Sequence, residues 1–125
     1  MSRAVRVLVV DDDPRVRAGL AGALGATAGL ALVAVTGSPA CALAAAGQAD
    51  VALVDALLPT IADGVALVRR LSHHVPVVAI SLDGTRRRDA LAAGAVAYLE
   101  KDGSLDDLVA ALRRAASCPA AGDSR

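Results

Sequence analysis

The 125-residue sequence predicts an α/β fold: a five-stranded parallel sheet, doubly wound, with helices on both faces. Five short apolar runs alternate strictly with stretches of helical spacing. The runs are apolar at successive positions rather than at every second one, as strands buried on both faces must be. Tyr98 is the only aromatic residue, so the core is built from Val, Leu, Ile and Ala, which lets helices lie close on a sheet.

The elements follow in order. "VRVLVV" (5–10) is β-branched and ends at a run of acids; "PRVRAGLAGALGA" places Val16, Leu20 and Leu24 at helical spacing, with Asp13 as cap and Pro14 in the first turn. "LALVAV" (30–35) is the second strand, and "SPACALAAAG" the second helix, capped by Ser38 and stopped by Gly47. "VALV" (51–54) ends at Asp55, and "DGVALVRRLSHH" carries Val65, Val68 and Leu71 on one face. "PVVAIS" (76–81), the weakly apolar "TRRRDALAAG", and "VAYLEK" (96–101) supply strand, helix and strand. "SLDDLVAALRRAA" closes the pattern, with Ser104 as cap and Leu105, Leu108, Val109 and Leu112 at offsets of three, four and seven. Residues 1–116 form one domain on this reading, and 117–125 read as a tail or the start of a linker.

Composition narrows the function. Thirteen basic and thirteen acidic residues leave no net charge, so no gross field calls for nucleic acid or a membrane surface. No apolar run approaches a membrane span, and there is no signal-peptide pattern, so the cytoplasm is the expected location. Cys41 and Cys118 have neither metal-ligand nor disulfide spacing; Cys41 is expected as a small core residue and Cys118 in a loose tail.

Chemistry collects at the carboxyl ends of the strands, which share one edge in a doubly wound sheet. Asp11 and Asp12 follow the first strand, Asp55 ends the third, Ser81 the fourth, and Lys101 the fifth. Singly, each has an ordinary explanation as a cap, a turn hydroxyl or a surface charge; five such groups at four strand ends point to a site. Three close carboxylates repel unless a cation offsets them. Oxygen-only donors suit a hard divalent ion such as Mg²⁺, and no converging His or Cys favours zinc or copper. A carboxylate beside such an ion and a lysine can attack phosphorus.

"VLVVDDDP", "ADVALVDALLP", "DG" at 63–64, "PVVAIS", "AGAVAYLEKD" and the final amphipathic helix together resemble the receiver domain of two-component response regulators, up to about residue 116. The resemblance is nearest to the branch with a C-terminal helix-turn-helix output domain. It implies a flavodoxin-like (βα)5 fold with strand order 2-1-3-4-5, and a signalling role rather than that of a conventional enzyme. By position it implies Asp55 as phosphoacceptor and Mg²⁺ ligand, Asp12 and Asp11 as further Mg²⁺ ligands, and the backbone carbonyl of Leu57 as the remaining one. Ser81 and Lys101 would grip the phosphoryl group, and Ser81 with Tyr98 would form the switch. The implied partners are a sensor histidine kinase, a second copy through the α4-β5-α5 face, and a DNA-binding output domain outside this chain. Nucleic-acid binding by the chain itself and membrane contact are not expected.

Several positions depart from the pattern. "LPTIADG" is one residue longer than usual, Leu58 replaces a common methionine, and Leu57 and Asp83 hold the variable positions that tune phosphoryl lifetime. Leu82 stands where a small residue is usual, and is expected to crowd phosphoryl access or the inward swing of Tyr98. "TRRRD" reads as a solvated face or as part of the α4-β5-α5 contact, and His73 and His74 as polar helix-end residues. Two rival functions stay open: a degenerate receiver acting as a phosphorylation-independent interaction module, and a Mg²⁺-dependent phosphatase with an aspartyl nucleophile. The phosphatase usually needs a second acid where Leu57 stands.

Overall fold

In the computed structural model, which describes residues 3–56, 61–82 and 84–118, five parallel strands form one sheet in the order β2-β1-β3-β4-β5. The strands are β1 Val5–Val10, β2 Leu30–Thr36, β3 Val51–Asp55, β4 Val77–Ser81 and β5 Ala97–Glu100. The helices are α1 Pro14–Gly25, α2 Pro39–Ala45, α3 Ile61–Ser72, α4 Arg87–Ala92 and α5 Leu105–Ala116. The predicted fold class and strand order are both present.

Alternation along the buried strands divides the core in two. Val7, Val9, Val51, Leu53, Val78 and Ile80 face Leu24 of α1 and Leu112 and Ala115 of α5. Leu8, Val10, Ala52, Val54, Val77 and Ala79 face Ala42 of α2, Leu67, Val68 and Leu71 of α3, and Ala90 of α4. Helices α1 and α5 therefore cover one face, and α2, α3 and α4 the other. Burial on both sides explains why the strand sequences are apolar throughout.

Three helix starts match the caps read from sequence. Asp13 accepts from the Arg15 N–H at 2.9 Å, Ser38 from Cys41 at 3.2 Å and Ser104 from Asp107 at 3.0 Å. Other details differ. Helix α3 begins two residues before Asp63 and ends at Ser72, leaving His73 and His74 in an exposed turn. The fourth helix is split: residues 84–86 form a 3₁₀ turn, no side chain caps the α-helical part, and only six residues are α-helical. Cys41 is exposed and its neighbour Ala42 is buried instead, which corrects the expectation of a core cysteine. Both cysteines are free. Among the described residues, no helix is long and apolar enough to cross a membrane.

Candidate functional site

The carboxyl ends of β1 and β3, side by side in the sheet, bring Asp11, Asp12 and Asp55 together, with one oxygen of each within 4.8 Å of the others. The Asp11 N–H donates to the Thr36 carbonyl at 3.0 Å, a last bond of the β1–β2 pairing, before the chain turns into the Asp13 cap of α1. Asp11 is 1% exposed and Asp55 5%, whereas Asp12 reaches solvent.

Lys101, the residue after β5, reaches back across the edge. Its Nζ lies 2.9 Å from Asp11 Oδ2 and 3.2 Å from Asp55 Oδ2, with the lysine side chain 16% exposed. The Lys101 N–H also donates to the Ser81 carbonyl at 2.7 Å, which continues the β4–β5 pairing to the site. Burial alone would lower the lysine pKa, but the two close carboxylates of Asp11 and Asp55 outweigh it, so the pKa lies above the ordinary lysine value. One ammonium thus serves two buried acids while a third stands beside them.

Asp11 Oδ1 accepts the Asp13 N–H at 3.0 Å. Its buried Oδ2 meets Lys101 as an ion pair without hydrogen-bond alignment, and takes no hydrogen bond among the described residues. A buried oxygen with spare lone pairs, two more carboxylates in reach and one open side suit a hard divalent cation that keeps part of its water. Asp11, Asp12 and Asp55 are the residues here that could hold one.

Ser81 is buried at the end of β4, and alternation places it on the sheet face of Ala79 and Tyr98. Tyr98 is buried among the core residues of that face. Leu82 follows Ser81 directly. It is 74% exposed and lies with Val16, Leu20, Ile80, Leu99 and Leu108 along a cleft of about 280 Å³ between α1 and α5. Tyr98 packs on the opposite face of the sheet. Leu57, Leu58, Pro59 and Asp83 lie outside the described residues, and with them the predicted Leu57 carbonyl ligand and the first part of the lengthened loop, whose residues 61–64 form the start of α3.

Sequence reasoning overlooked two contributors. Arg17 of α1 donates from Nη1 to the Asp11 carbonyl at 2.7 Å, and Gly37 lies against both. Neither belongs to a local motif. The only signal was spacing: Arg17 falls about one helical turn beyond the acids, on the side facing the β2–α2 turn.

The profile of the response regulator receiver domain family matches residues 7–113. The transcriptional regulatory protein TcrA of Mycobacterium tuberculosis is 37% identical over 114 residues, which cover 87% of this chain and 45% of TcrA. The chain therefore spans about half the length of this curated relative. The signal receiver domain of NarL from Mycobacterium tuberculosis superposes with a TM-score of 0.79 at 31% identity, covering 94% of this chain and all of that one. The response regulator domain of Thermotoga maritima CheB, at 23% identity, has the same fold with a TM-score of 0.80, covering 94% of this chain and 99% of that one.

Proposed function

The chain belongs to the response regulator receiver domain family, and from that premise we propose that it is a phosphorylation-controlled switch whose phosphoacceptor is Asp55. The observation that carries this reading is the Lys101 ammonium between Asp11 and Asp55, with Asp12 completing the carboxylate group.

On this reading, an oxygen of Asp55 attacks the phosphorus of a phosphohistidine on a sensor histidine kinase. The P–N bond breaks, and its electron pair leaves with the imidazole nitrogen. Lys101, donating to Asp55 Oδ2, orients the carboxylate before transfer and can follow the phosphoryl oxygens afterwards. Asp11, Asp12, Asp55 and the Leu57 carbonyl would hold Mg²⁺, which when bound neutralises the non-bridging oxygens. Ser81 and Tyr98, on one sheet face, then form the switch. The phosphorylated form is favoured to the extent that it makes better contacts with the new group.

The output surface we assign is the α4-β5-α5 face, with a second copy of the chain or an effector as partner. Arg87, Arg88, Leu91, Val96 and Leu105 are exposed there. A DNA-binding output domain, if present, lies outside this chain, and the receiver is taken as 1–116 with 117–125 as tail or linker. The two free cysteines suit a reducing, cytoplasmic setting.

Intact-mass measurement after incubation with acetyl phosphate and Mg²⁺ tests the proposal. A single phosphoryl adduct is expected, absent without Mg²⁺ and absent in Asp55→Asn. No adduct, together with no spectral response to beryllofluoride, would leave a phosphorylation-independent interaction module. Repeated turnover of phosphomonoesters would instead indicate a phosphatase.

A further inference from the structure

Asp12 is the exposed member of the carboxylate group and takes no side-chain hydrogen bond among the described residues. Its position is therefore inherited from the backbone on either side. On the far side stands Asp13, fixed by its N–H to Asp11 Oδ1 and by its capping bond to Arg15. On the near side is the peptide joining Asp11 to Asp12, a rigid planar unit whose rotation swings the Asp12 Cα–Cβ bond.

That peptide is gripped from outside the loop. Arg17 Nη1 donates to its carbonyl oxygen, the Asp11 O, at 2.7 Å. The guanidinium is seated by the β2–α2 turn. A Cβ built on Gly37 would stand 2.6 Å from Arg17 Nη1, 3.2 Å from the Asp11 carbonyl oxygen and 3.4 Å from Asp12 Cα. The absent side chain at 37 is thus the space in which the arginine reaches the peptide.

We propose that Arg17, seated against Gly37, is a positioning residue that sets the Asp12 carboxylate for the divalent cation. The inference rests on the reading of Asp11, Asp12 and Asp55 as the Mg²⁺ site and adds the element that orients it. It also separates two roles of one side chain. A positive charge near a cation site weakens binding, whereas a hydrogen bond that aims a ligand strengthens it, so the sign of the effect tells them apart.

The test is calorimetric titration of Mg²⁺ into wild type, Arg17→Ala, Arg17→Lys, Gly37→Ala and Asp12→Ala, with thermal melting of each metal-free protein. Arg17→Ala is expected to bind Mg²⁺ about tenfold more weakly, the usual effect of removing a group that orients a metal ligand. Arg17→Lys should recover part of this. Gly37→Ala, which displaces the guanidinium tip without removing its charge, should match Arg17→Ala. Acetyl phosphate labelling should fall at limiting Mg²⁺ and recover at saturating Mg²⁺. A folded Arg17→Ala with wild-type or tighter affinity overturns the inference while the site stands. If Arg17→Ala does not fold, Gly37→Ala decides by the same criterion. If wild type binds no Mg²⁺, or Asp12→Ala binds it equally, the site reading itself falls and the inference with it.

Discussion

The β1–β3 side of the strand-end edge and the β4–α4–β5 side are held by different forces. On the first side, every polar atom of Asp11 is engaged: N–H to Thr36, carbonyl to Arg17, Oδ1 to Asp13 and Oδ2 to Lys101. On the second, α4 has only Ala90 buried within its six residues and no side-chain cap. Its C-terminal turn rests on Ala93, Ala95 and a bond from Ser72 Oγ to the Ala93 carbonyl at 3.4 Å. An alanine buries one methyl group where α5 buries Leu112 as well as Ala111 and Ala115. The contrast teaches where the anchoring lies: the charged centre is tied on several sides, while the element beside it buries little and is capped by no side chain.

Removing the charge that ties the frame together should have the largest effect. Lys101→Met leaves two buried carboxylates without their counter-charge and is expected to cost about 3 kcal/mol in metal-free buffer, as for other broken buried pairs. Chemical denaturation at neutral pH measures it, and saturating Mg²⁺ should restore part of the loss. The pH dependence has a defined sign. Since the folded pKa of Lys101 is raised, its contribution is complete below the unfolded lysine value of about 10.4 and disappears as pH rises through the folded value. Wild type should therefore lose stability above that pH, and Lys101→Met should show less of this decline.

The weakly held side should break by misfit instead. Gly94 has φ +117, and a Cβ there would stand 2.5 Å from Ser72 Oγ and 2.8 Å from Ser72 Cβ. Gly94→Ala is expected to cost about 2 kcal/mol from backbone strain and the clash. Hydrogen exchange should speed up at α4 and β5 and leave the β1 amides unchanged. Equal loosening of β1 would show that the two sides are one cooperative unit.

This difference also decides what could be read from the sequence. The strands, the three caps and the acids at the strand ends are local in origin: apolar runs, a capping residue before a helix, a charge where a strand stops. They were legible. The 3₁₀ start of α4 was not, because "GTRRR" offers helix formers without a cap and its geometry follows from neighbouring packing. Cys41 was misplaced because an alanine-rich helix has almost no apolar phase, so Cys41 and Ala42 compete on equal terms for the core. Arg17 and Gly37 meet only through the β1–β2 pairing, which no single segment encodes. Alternation from the buried Ile80 puts Leu82 on the α1–α5 face, but its exposure follows from standing one residue past the end of β4, a boundary no local pattern marks.

The next effect is smaller and opposite in sign. Asp12 lies within 4.8 Å of two other carboxylates without an ion pair of its own among the described residues. Asp12→Ala should raise metal-free stability by about 1 kcal/mol, the Coulomb energy of like charges at that distance in water-like surroundings. It should also abolish the stabilisation that Mg²⁺ gives wild type. Destabilisation instead would mean that Asp12 supports the loop structurally.

Leu82 should give the smallest effect, and it tests whether the boundary between the two sides is drawn correctly. The side chain projects toward the α1–α5 cleft, away from the face that holds Tyr98. Leu82→Ala should therefore change stability by less than about 0.5 kcal/mol, the range of exposed substitutions. Acetyl phosphate labelling of Asp55 should proceed at the wild-type rate, and α4 exchange should stay unaltered. Faster labelling would mean that Leu82 leaves its exposed position during phosphoryl transfer and enters the approach to Asp55. The weakly held side would then reach one strand further into the charged frame than its resting packing indicates.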